Sequence, residues 1–195
     1  MQAGRPLEFD PEIALDEAMA VFWQQGFEAT SLADLLAAMK LSKSSFYNAF
    51  GSKQALFERC LARFRARQVG NMRHALASAP SPLAFIRGML LAAATEARQA
   101  TCPRGCLIMN TATELAGRDP SVAALVSAAA QDFTATFRLA VEQAQACGEI
   151  PPERDAAILA RYLVATVAGL KTMVKAGVGA DEIEQLAEVA LRALA

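Results

Sequence analysis

The chain has 195 residues, of which 54% are hydrophobic, and its formal net charge is −1 at pH 7. This length allows a sizeable buried core, and we expect no membrane span because no apolar run approaches the ~20 residues that a span needs. The start lacks the charge pattern of a secretory signal, and four unevenly spaced cysteines do not resemble a disulfide framework. We therefore expect a soluble protein of the reducing cytoplasm.

The first apolar pattern lies between Asp10 and Gly26. Asp10 followed by Pro11 is typical of an N-cap with proline at the first helical position, and Gly26 is a residue at which helices commonly end. Ala18 and Phe22 recur at helical spacing within this segment. The sequence therefore predicts a first helix with these two side chains on its apolar face.

Two short helices are predicted next, with only two residues between them. Ser31 is placed to cap a helix that ends at Met39, and Ser42 to cap a second one that ends at Ala49. Helices joined so tightly cross at a steep angle, which leaves the outer face of the second helix free to enter a DNA major groove. Small, polar or cationic side chains occupy that face, namely Lys43, Ser44, Tyr47 and Asn48.

Charge is distributed unevenly around these helices. The segment Lys40–Arg73 carries eight cations and one anion, whereas Glu8–Asp34 carries seven anions and no cation. Such a basic surface would orient the protein on DNA phosphates. For the arginines from Arg59 onward, the alternative is the solvated outer face of a long helix. Lys43 and Lys53 are the stronger candidates because they flank the proposed recognition helix.

The remaining chain continues as helices without a convincing strand. A long connecting helix is predicted at about residues 52–77, followed by a break before residue 82. Five more helices are predicted at residues 82–100, 106–115, 120–147, 153–176 and 181–194. We expect an all-α protein with a helix-turn-helix DNA-binding domain at residues 1–56 and a helical domain at residues 78–195.

The first third of the chain closely resembles the TetR family, the tetracycline-repressor-like bacterial transcription regulators. The residues that match the pattern of that family are Ala18, Phe22, Gly26, Thr30, Leu35, Leu41, Ser42, Lys43, Phe46, Tyr47, Phe50, Ser52, Lys53 and Leu56. The resemblance implies a three-helix DNA-binding domain and a C-terminal helical domain for ligand binding and dimerisation. It implies phosphate contacts by Thr30, Ser31, Tyr47 and Lys53, and base contacts by Lys43, Ser44, Ser45 and Asn48.

Three further positions bear on DNA recognition. Lys40 occupies a turn where the family usually has glycine, and a left-handed lysine there would cost about 1 kcal/mol. Asn48 replaces a more usual histidine or tyrosine, so the operator sequence cannot be taken from relatives. Arg5 lies in a segment that resembles a short minor-groove arm, with a disordered terminus as the alternative.

In the family that this chain resembles, the second domain encloses a small-molecule pocket, and the last two long helices pair with those of a second subunit. A homodimer would suit a pseudo-palindromic DNA operator. Candidate pocket residues are Phe64, Ile86, Leu90, Met109, Asn110, Thr113, Phe133, Phe137, Tyr162, Thr166 and Met173. For the apolar members the alternative is plain core, and for the threonines it is a hydrogen bond to a local helix carbonyl.

Cys102 and Cys106 are a second candidate for chemistry. Cys106 is predicted to open a helix, where the helix dipole and nearby Arg104 could lower its pKa and favour the thiolate. Cys102 is close enough in sequence to act as a resolving thiol. That arrangement suits a sensor of oxidants or electrophiles. The alternative is a buried, inert Cys106 that acts as a small hydrophobic side chain.

Catalysis is not expected. His74 is the only histidine, no Gly-rich phosphate loop appears, and we expect neither a cofactor nor a metal site. The interpretation is a ligand-responsive transcriptional regulator, with repression implied by the resemblance and release by a small apolar or electrophilic molecule. The alternatives are a cysteine-based redox or electrophile sensor and a DNA-organising helix-turn-helix protein without an effector.

Overall fold

The computed structural model describes residues 9–195, which form nine helices and no strand. The helices are α1 (Pro11–Gln25), α2 (Leu32–Met39), α3 (Lys43–Phe50), α4 (Lys53–Ser78), α5 (Pro82–Gln99), α6 (Leu107–Leu115), α7 (Pro120–Ala146), α8 (Ala156–Lys175) and α9 (Ala180–Arg192). The all-α prediction is confirmed. We call α1–α3 the head and α5–α9 the body, and α4 contacts both.

The caps of α2 and α3 form where the sequence predicts them. The Ser31 hydroxyl accepts the Asp34 N–H at 3.1 Å, and the Asp34 carboxylate accepts the Ser31 N–H at 2.8 Å, which makes a capping box. The Ser42 hydroxyl accepts the Ser45 N–H at 3.1 Å. These bonds satisfy N–H groups that have no partner inside their helices, and they fix where both helices begin.

The turn between α2 and α3 is closed by Lys40. This residue has a φ of 54° and lies in the left-handed region, the only non-glycine residue to do so within residues 9–195. Its N–H donates to the carbonyl oxygens of Ala37 and Leu36 and ends α2. A side chain with a Cβ is strained in this conformation, by roughly 1–2 kcal/mol.

We expect Lys40→Gly to raise the free energy of unfolding by about 1 kcal/mol, because glycine adopts a left-handed φ without steric cost. Urea denaturation would measure the change. The matched control is Lys43→Gly at the first residue of α3, where glycine relieves no left-handed conformation and should lower stability by up to about 1 kcal/mol. A Lys40→Gly variant that unfolds at lower urea than the wild type would contradict the strain assigned to this turn.

A glutamate of the body holds the loop that follows α1. The carboxylate of Glu114, on α6, accepts the N–H of Phe27 at 3.1 Å and the N–H of Glu28 at 2.8 Å. Gly26 precedes these two residues with a φ of 85°, and a Cβ at this position would lie 2.9 Å from Glu114 Oε2. Glycine is therefore required here both for the backbone conformation and for the approach of the carboxylate.

The indole of Trp23 forms a second contact between the head and the body. Trp23 Nε1 donates a 3.1 Å hydrogen bond to the carbonyl oxygen of Gly105, just before α6. Its ring packs edge-on against Phe64 of α4, with 5.1 Å between the ring centroids. The guanidinium of Arg104 lies 4.9 Å from the indole centroid on the α6 side. The end of α1 is thus held between α4 and α6.

Ion pairs involve three of the five arginines of α4. Arg63 Nε lies 2.7 Å from Asp16 Oδ1 of α1, and Arg67 Nη1 lies 2.8 Å from the same oxygen. Arg65 Nε lies 2.7 Å from Asp132 Oδ2 of α7. The two alternatives for the arginines from Arg59 onward were phosphate contact and a solvated outer face, and the structure instead pairs these three with carboxylates of α1 and α7.

Helix α8 corrects the expectation that no apolar run approaches the length of a membrane span. It has 20 residues and, by length and composition alone, is long and apolar enough to cross a membrane. The helix packs against α5, α7 and α9 of the body. Only 28% of its most apolar 18-residue stretch is buried within the chain. Helix α8 is therefore a body helix with one uncovered face.

We expect Glu114→Ala to lower the free energy of unfolding by about 1–3 kcal/mol, because two backbone N–H groups lose a charged acceptor. Thermal or urea denaturation would measure the loss. Glu142→Ala on the exposed surface of α7 removes a carboxylate whose one ion-pair partner among residues 9–195 is Arg138, one turn away, and should change stability by no more than about 0.5 kcal/mol. Equal stability of both variants would contradict a structural role for Glu114.

Candidate functional site

The outer face of α3 is polar and open to solvent. Lys43, Ser44, Tyr47 and Asn48 are all exposed, whereas Phe46 on the opposite side is fully buried in the head. Four residues of this helix therefore present donors and acceptors outward while its apolar side anchors it. A helix held in this way can be laid in a major groove without disturbing the core.

Cations without ion-pair partners among residues 9–195 flank α3. Lys40 and Lys43 are exposed at the turn and at the first residue of α3. Lys53 begins α4, and its ammonium lies 4.4 Å from the centroid of the Phe27 ring. Arg59 donates a 3.2 Å hydrogen bond to the carbonyl oxygen of Ala49 in α3. These four positive charges lie beside the exposed helix and suit phosphate contacts.

Three residues that were expected to contact DNA instead use their hydroxyl groups for hydrogen bonds within the chain. Thr30 is 1% exposed, and its hydroxyl donates to the Gly26 carbonyl oxygen at 2.6 Å, so its side chain is not available to a phosphate. Ser31 is exposed, but its hydroxyl serves the capping box of α2. Ser45 is half-buried and bonds to the Ser42 hydroxyl at 2.9 Å. Arg5 lies outside the described residues.

A cavity of about 210 Å³ lies in the body beside the end of α1, with walls from α1, α4, α5, α6, α7 and α8. Most of its walls are apolar side chains. The lining residues are Trp23, Phe64, Gln68, Met72, Met89, Ala92, Gly105, Cys106, Met109, Phe133, Phe137, Val164, Val167, Ala168 and Lys171. Among the predicted pocket residues it contains Phe64, Met109, Phe133 and Phe137.

The other predicted pocket residues lie elsewhere. Ile86 and Leu90 are fully buried and contribute to the core of the body. The hydroxyl of Thr166 donates to the Tyr162 carbonyl oxygen at 2.8 Å within α8. Tyr162, Thr166 and Met173 do not line the cavity. Ile86 and Leu90 fit the alternative of plain core, and Thr166 fits the alternative of a hydrogen bond to a local helix carbonyl. Helical spacing alone does not show which neighbouring element a residue contacts.

Asn110 and Thr113 belong to a separate polar cavity of about 230 Å³ beside Glu114. The Asn110 amide nitrogen donates to the Arg104 carbonyl oxygen at 2.9 Å, and the Thr113 hydroxyl donates to the Asn110 carbonyl oxygen at 2.8 Å. Both side chains therefore have partners within the chain. They support the junction between α6 and the end of α1 and lie outside the apolar cavity.

Eleven of the fifteen lining residues were not among the predicted pocket residues, and three of these eleven bear most on the chemistry of the cavity. Trp23 belongs to α1 in the head, and no local pattern indicates that its indole reaches the body. Gln68 and Lys171 are polar residues on α4 and α8. Lys171 Nζ lies 2.7 Å from Glu96 Oε2 of α5, which places an ion pair in the cavity wall.

The environment of Cys106 fits the alternative of a buried thiol better than that of an activated one. Burial raises the pKa of this thiol, although hydrogen bonds from the N–H groups of Met109 and Ile108 act in the opposite direction. The expected lowering by Arg104 does not occur, because that guanidinium lies over the Trp23 ring. Cys106 is the N-cap residue of α6, and Cys102 is exposed without a disulfide. Both thiols are free.

Comparisons with known proteins identify the family. Residues 14–60 match the sequence profile described as "Bacterial regulatory proteins, tetR family", and residues 82–190 match "Tetracyclin repressor-like, C-terminal domain". The chain belongs to the TetR family. It is a DNA-binding transcriptional regulator of this family, which confirms the resemblance that we drew from the residues of the head.

Relatives of this TetR-family regulator cover nearly its whole length. The HTH-type transcriptional repressor ComR of Escherichia coli (strain K12) is 33% identical over 97% of this chain and 90% of its own. A cysteine-substituted form of the regulator CifR, solved with 26-base-pair double-strand operator DNA, is 33% identical with a TM-score of 0.84, over 98% of this chain and 100% of that chain. A regulator from Chloroflexus aurantiacus is 27% identical with a TM-score of 0.81, over 93% and 91%.

We expect Tyr47→Ala and Lys53→Ala each to weaken binding to an operator by about tenfold, a typical effect of losing one phosphate contact of roughly 1–1.5 kcal/mol. Fluorescence anisotropy at constant salt would measure it. Arg138→Ala is the matched control, because this cation lies on α7 and pairs with Glu142. Wild-type affinity in both head variants would remove α3 and the start of α4 from the DNA interface.

Proposed function

We propose that this protein is a transcriptional repressor that leaves its operator when a small, mostly apolar molecule occupies the cavity. The observation that carries this proposal is the position of Trp23, because a residue of the head forms part of the wall of a cavity in the body. A ligand seated there contacts the DNA-binding part of the chain directly. Repression is supported by the description of ComR as a transcriptional repressor.

Helix α6 supports a route from the cavity to the head. Its beginning contributes Cys106 and Met109 to the cavity, and the preceding Gly105 carbonyl accepts the Trp23 N–H. Glu114 lies eight residues after Cys106, about 12 Å along the helix at 1.5 Å per residue, and holds the loop after α1. A short rigid helix therefore contacts both the ligand and the head. A shift of α6 on ligand binding would change the orientation of the head.

A homodimer through α8 and α9 is part of the proposal. Ile158 on α8 and Val189 on α9 are 56% and 59% exposed in the single chain, so each helix presents a large aliphatic side chain that a second subunit would cover. Ala165 and Gly169 lie on the exposed side of α8, where small residues allow close approach of a second helix. Two-fold symmetry would place two copies of α3 on a pseudo-palindromic operator. Such a regulator functions in the cytoplasm.

A cysteine-based sensor is the second candidate. Its support is that Cys106 lines the cavity, so an electrophile bound there would meet the thiol. Its weakness is the burial that raises the pKa of Cys106 and reduces the thiolate fraction. A DNA-organising protein without an effector is a third reading, and it predicts binding without sequence preference and without release.

We expect the purified protein to bind its own upstream intergenic DNA selectively over scrambled DNA at matched salt, and to be released by an apolar aromatic compound. Electrophoretic mobility shift would measure both. Release by an electrophile in the wild type but not in Cys106→Ser would favour the thiol sensor, whereas release of both would favour reversible binding. Binding without sequence preference and without release would contradict the proposal and favour the DNA-organising reading.

A further inference from the structure

We propose that the cavity is selective for a neutral, single-ring aromatic molecule that carries one hydrogen-bonding oxygen, as in a phenol, a benzyl alcohol or an aromatic ketone. This inference rests on the proposed ligand-responsive function and names the chemical class of its ligand. Four properties of the cavity lead to it: its volume, its aromatic walls, its balanced charge and one amide without a partner.

The volume limits the size of the ligand. The cavity measures about 210 Å³, whereas pockets for drug-sized ligands span roughly 300–1,000 Å³. An engineered apolar cavity of about 150 Å³ is known to hold benzene. The space here therefore fits one ring with one or two small substituents.

The walls favour an aromatic ring. Trp23 and Phe64 meet edge-on with an angle of 80° between their planes, and Phe133 and Phe137 face the cavity from α7. A flat ring can form offset-stacked or edge-to-face contacts with such side chains, each worth about 0.5–1.5 kcal/mol beyond the buried area. The methionines and valines that complete the walls add apolar contact without a preferred direction.

The charge in the wall is already balanced. Lys171 and Glu96 form a 2.7 Å ion pair, and their side chains are only 25% and 20% exposed. An anionic ligand would have to take Lys171 from Glu96 and leave that carboxylate unpaired, while a cationic ligand would leave Lys171 unpaired. Losing one partner of a partly buried pair is costly. A neutral ligand avoids both costs.

Apart from the Cys106 thiol, the remaining polar side chain of the wall is that of Gln68. This half-buried side chain of α4 lines the cavity, and its amide is open to solvent and makes no hydrogen bond to another described residue. A glutamine amide both donates and accepts, so it can pair with a hydroxyl or with a carbonyl oxygen. Gln68 is thus the residue that distinguishes an oxygen-bearing ring from a plain hydrocarbon.

The test uses four probes with the same ring: p-cresol, toluene, p-toluate and 4-methylbenzylamine. Trp23 is the only tryptophan of the chain and lines the cavity, so its fluorescence reports binding at this site. We expect p-cresol to bind about fivefold more tightly than toluene, which corresponds to one hydrogen bond of about 1 kcal/mol. We expect p-toluate and 4-methylbenzylamine to bind at least tenfold more weakly than p-cresol.

A pair of variants assigns the preference to one residue. Gln68→Leu keeps a similar side-chain volume, and we expect it to remove the preference for p-cresol over toluene while toluene binding stays the same or improves. Gln143→Leu on the exposed surface of α7 is the matched control and should preserve the preference. An unchanged p-cresol preference in Gln68→Leu would overturn the role of Gln68.

Operator binding by the ligand-free protein separates this inference from the proposed function. Tightest binding of p-toluate would overturn the inference, because it would mean that Lys171 is available to an anion. Selective operator binding together with no response to any of the four probes would overturn the ligand class and leave the regulator intact. Binding of p-cresol without selective operator binding would support the ligand class and contradict the proposed function.

Discussion

The position of the DNA-binding head depends on the loop after α1, where one carboxylate of the body meets two backbone N–H groups. The loop can present them because Gly26 adopts a positive φ and carries no side chain in the path of Glu114. A charged acceptor on N–H donors is about twice as strong as a neutral pair and has a fixed direction. The head is therefore held in one orientation by a few directional bonds, and the surrounding apolar contacts then have a defined geometry.

Charged residues have different roles along the first half of the chain. On α4, Arg63 and Arg65 join this helix to α1 and α7 through aspartates, so their charges serve the internal structure. Lys40, Lys43 and Lys53 have no such partner among the described residues and surround α3. A count of cations in the sequence cannot separate these groups, because the acidic partners lie 47 and 67 positions away in the chain.

Local chemistry explains which parts of the structure could be predicted from the sequence. The capping serines, the prolines at the first helical positions and the left-handed Lys40 depend on neighbours within four residues, and they define the helices well. Trp23 and Gly105, by contrast, are separated by 82 positions, and Phe27 and Glu114 by 87. Contacts of that span depend on how helices pack, and an apolar stripe does not say whether it meets core, cavity or a second subunit.

The ion pair between Glu96 and Lys171 affects which small molecules of the cell the cavity can bind. Most abundant small metabolites carry phosphate or carboxylate groups, and an unpaired lysine in the wall of an apolar cavity would attract them. Because Glu96 already neutralises Lys171, an anion that entered the cavity would lose its hydration without gaining a new ion pair. In the proposed regulator, such anions would therefore compete poorly with a neutral effector for the cavity.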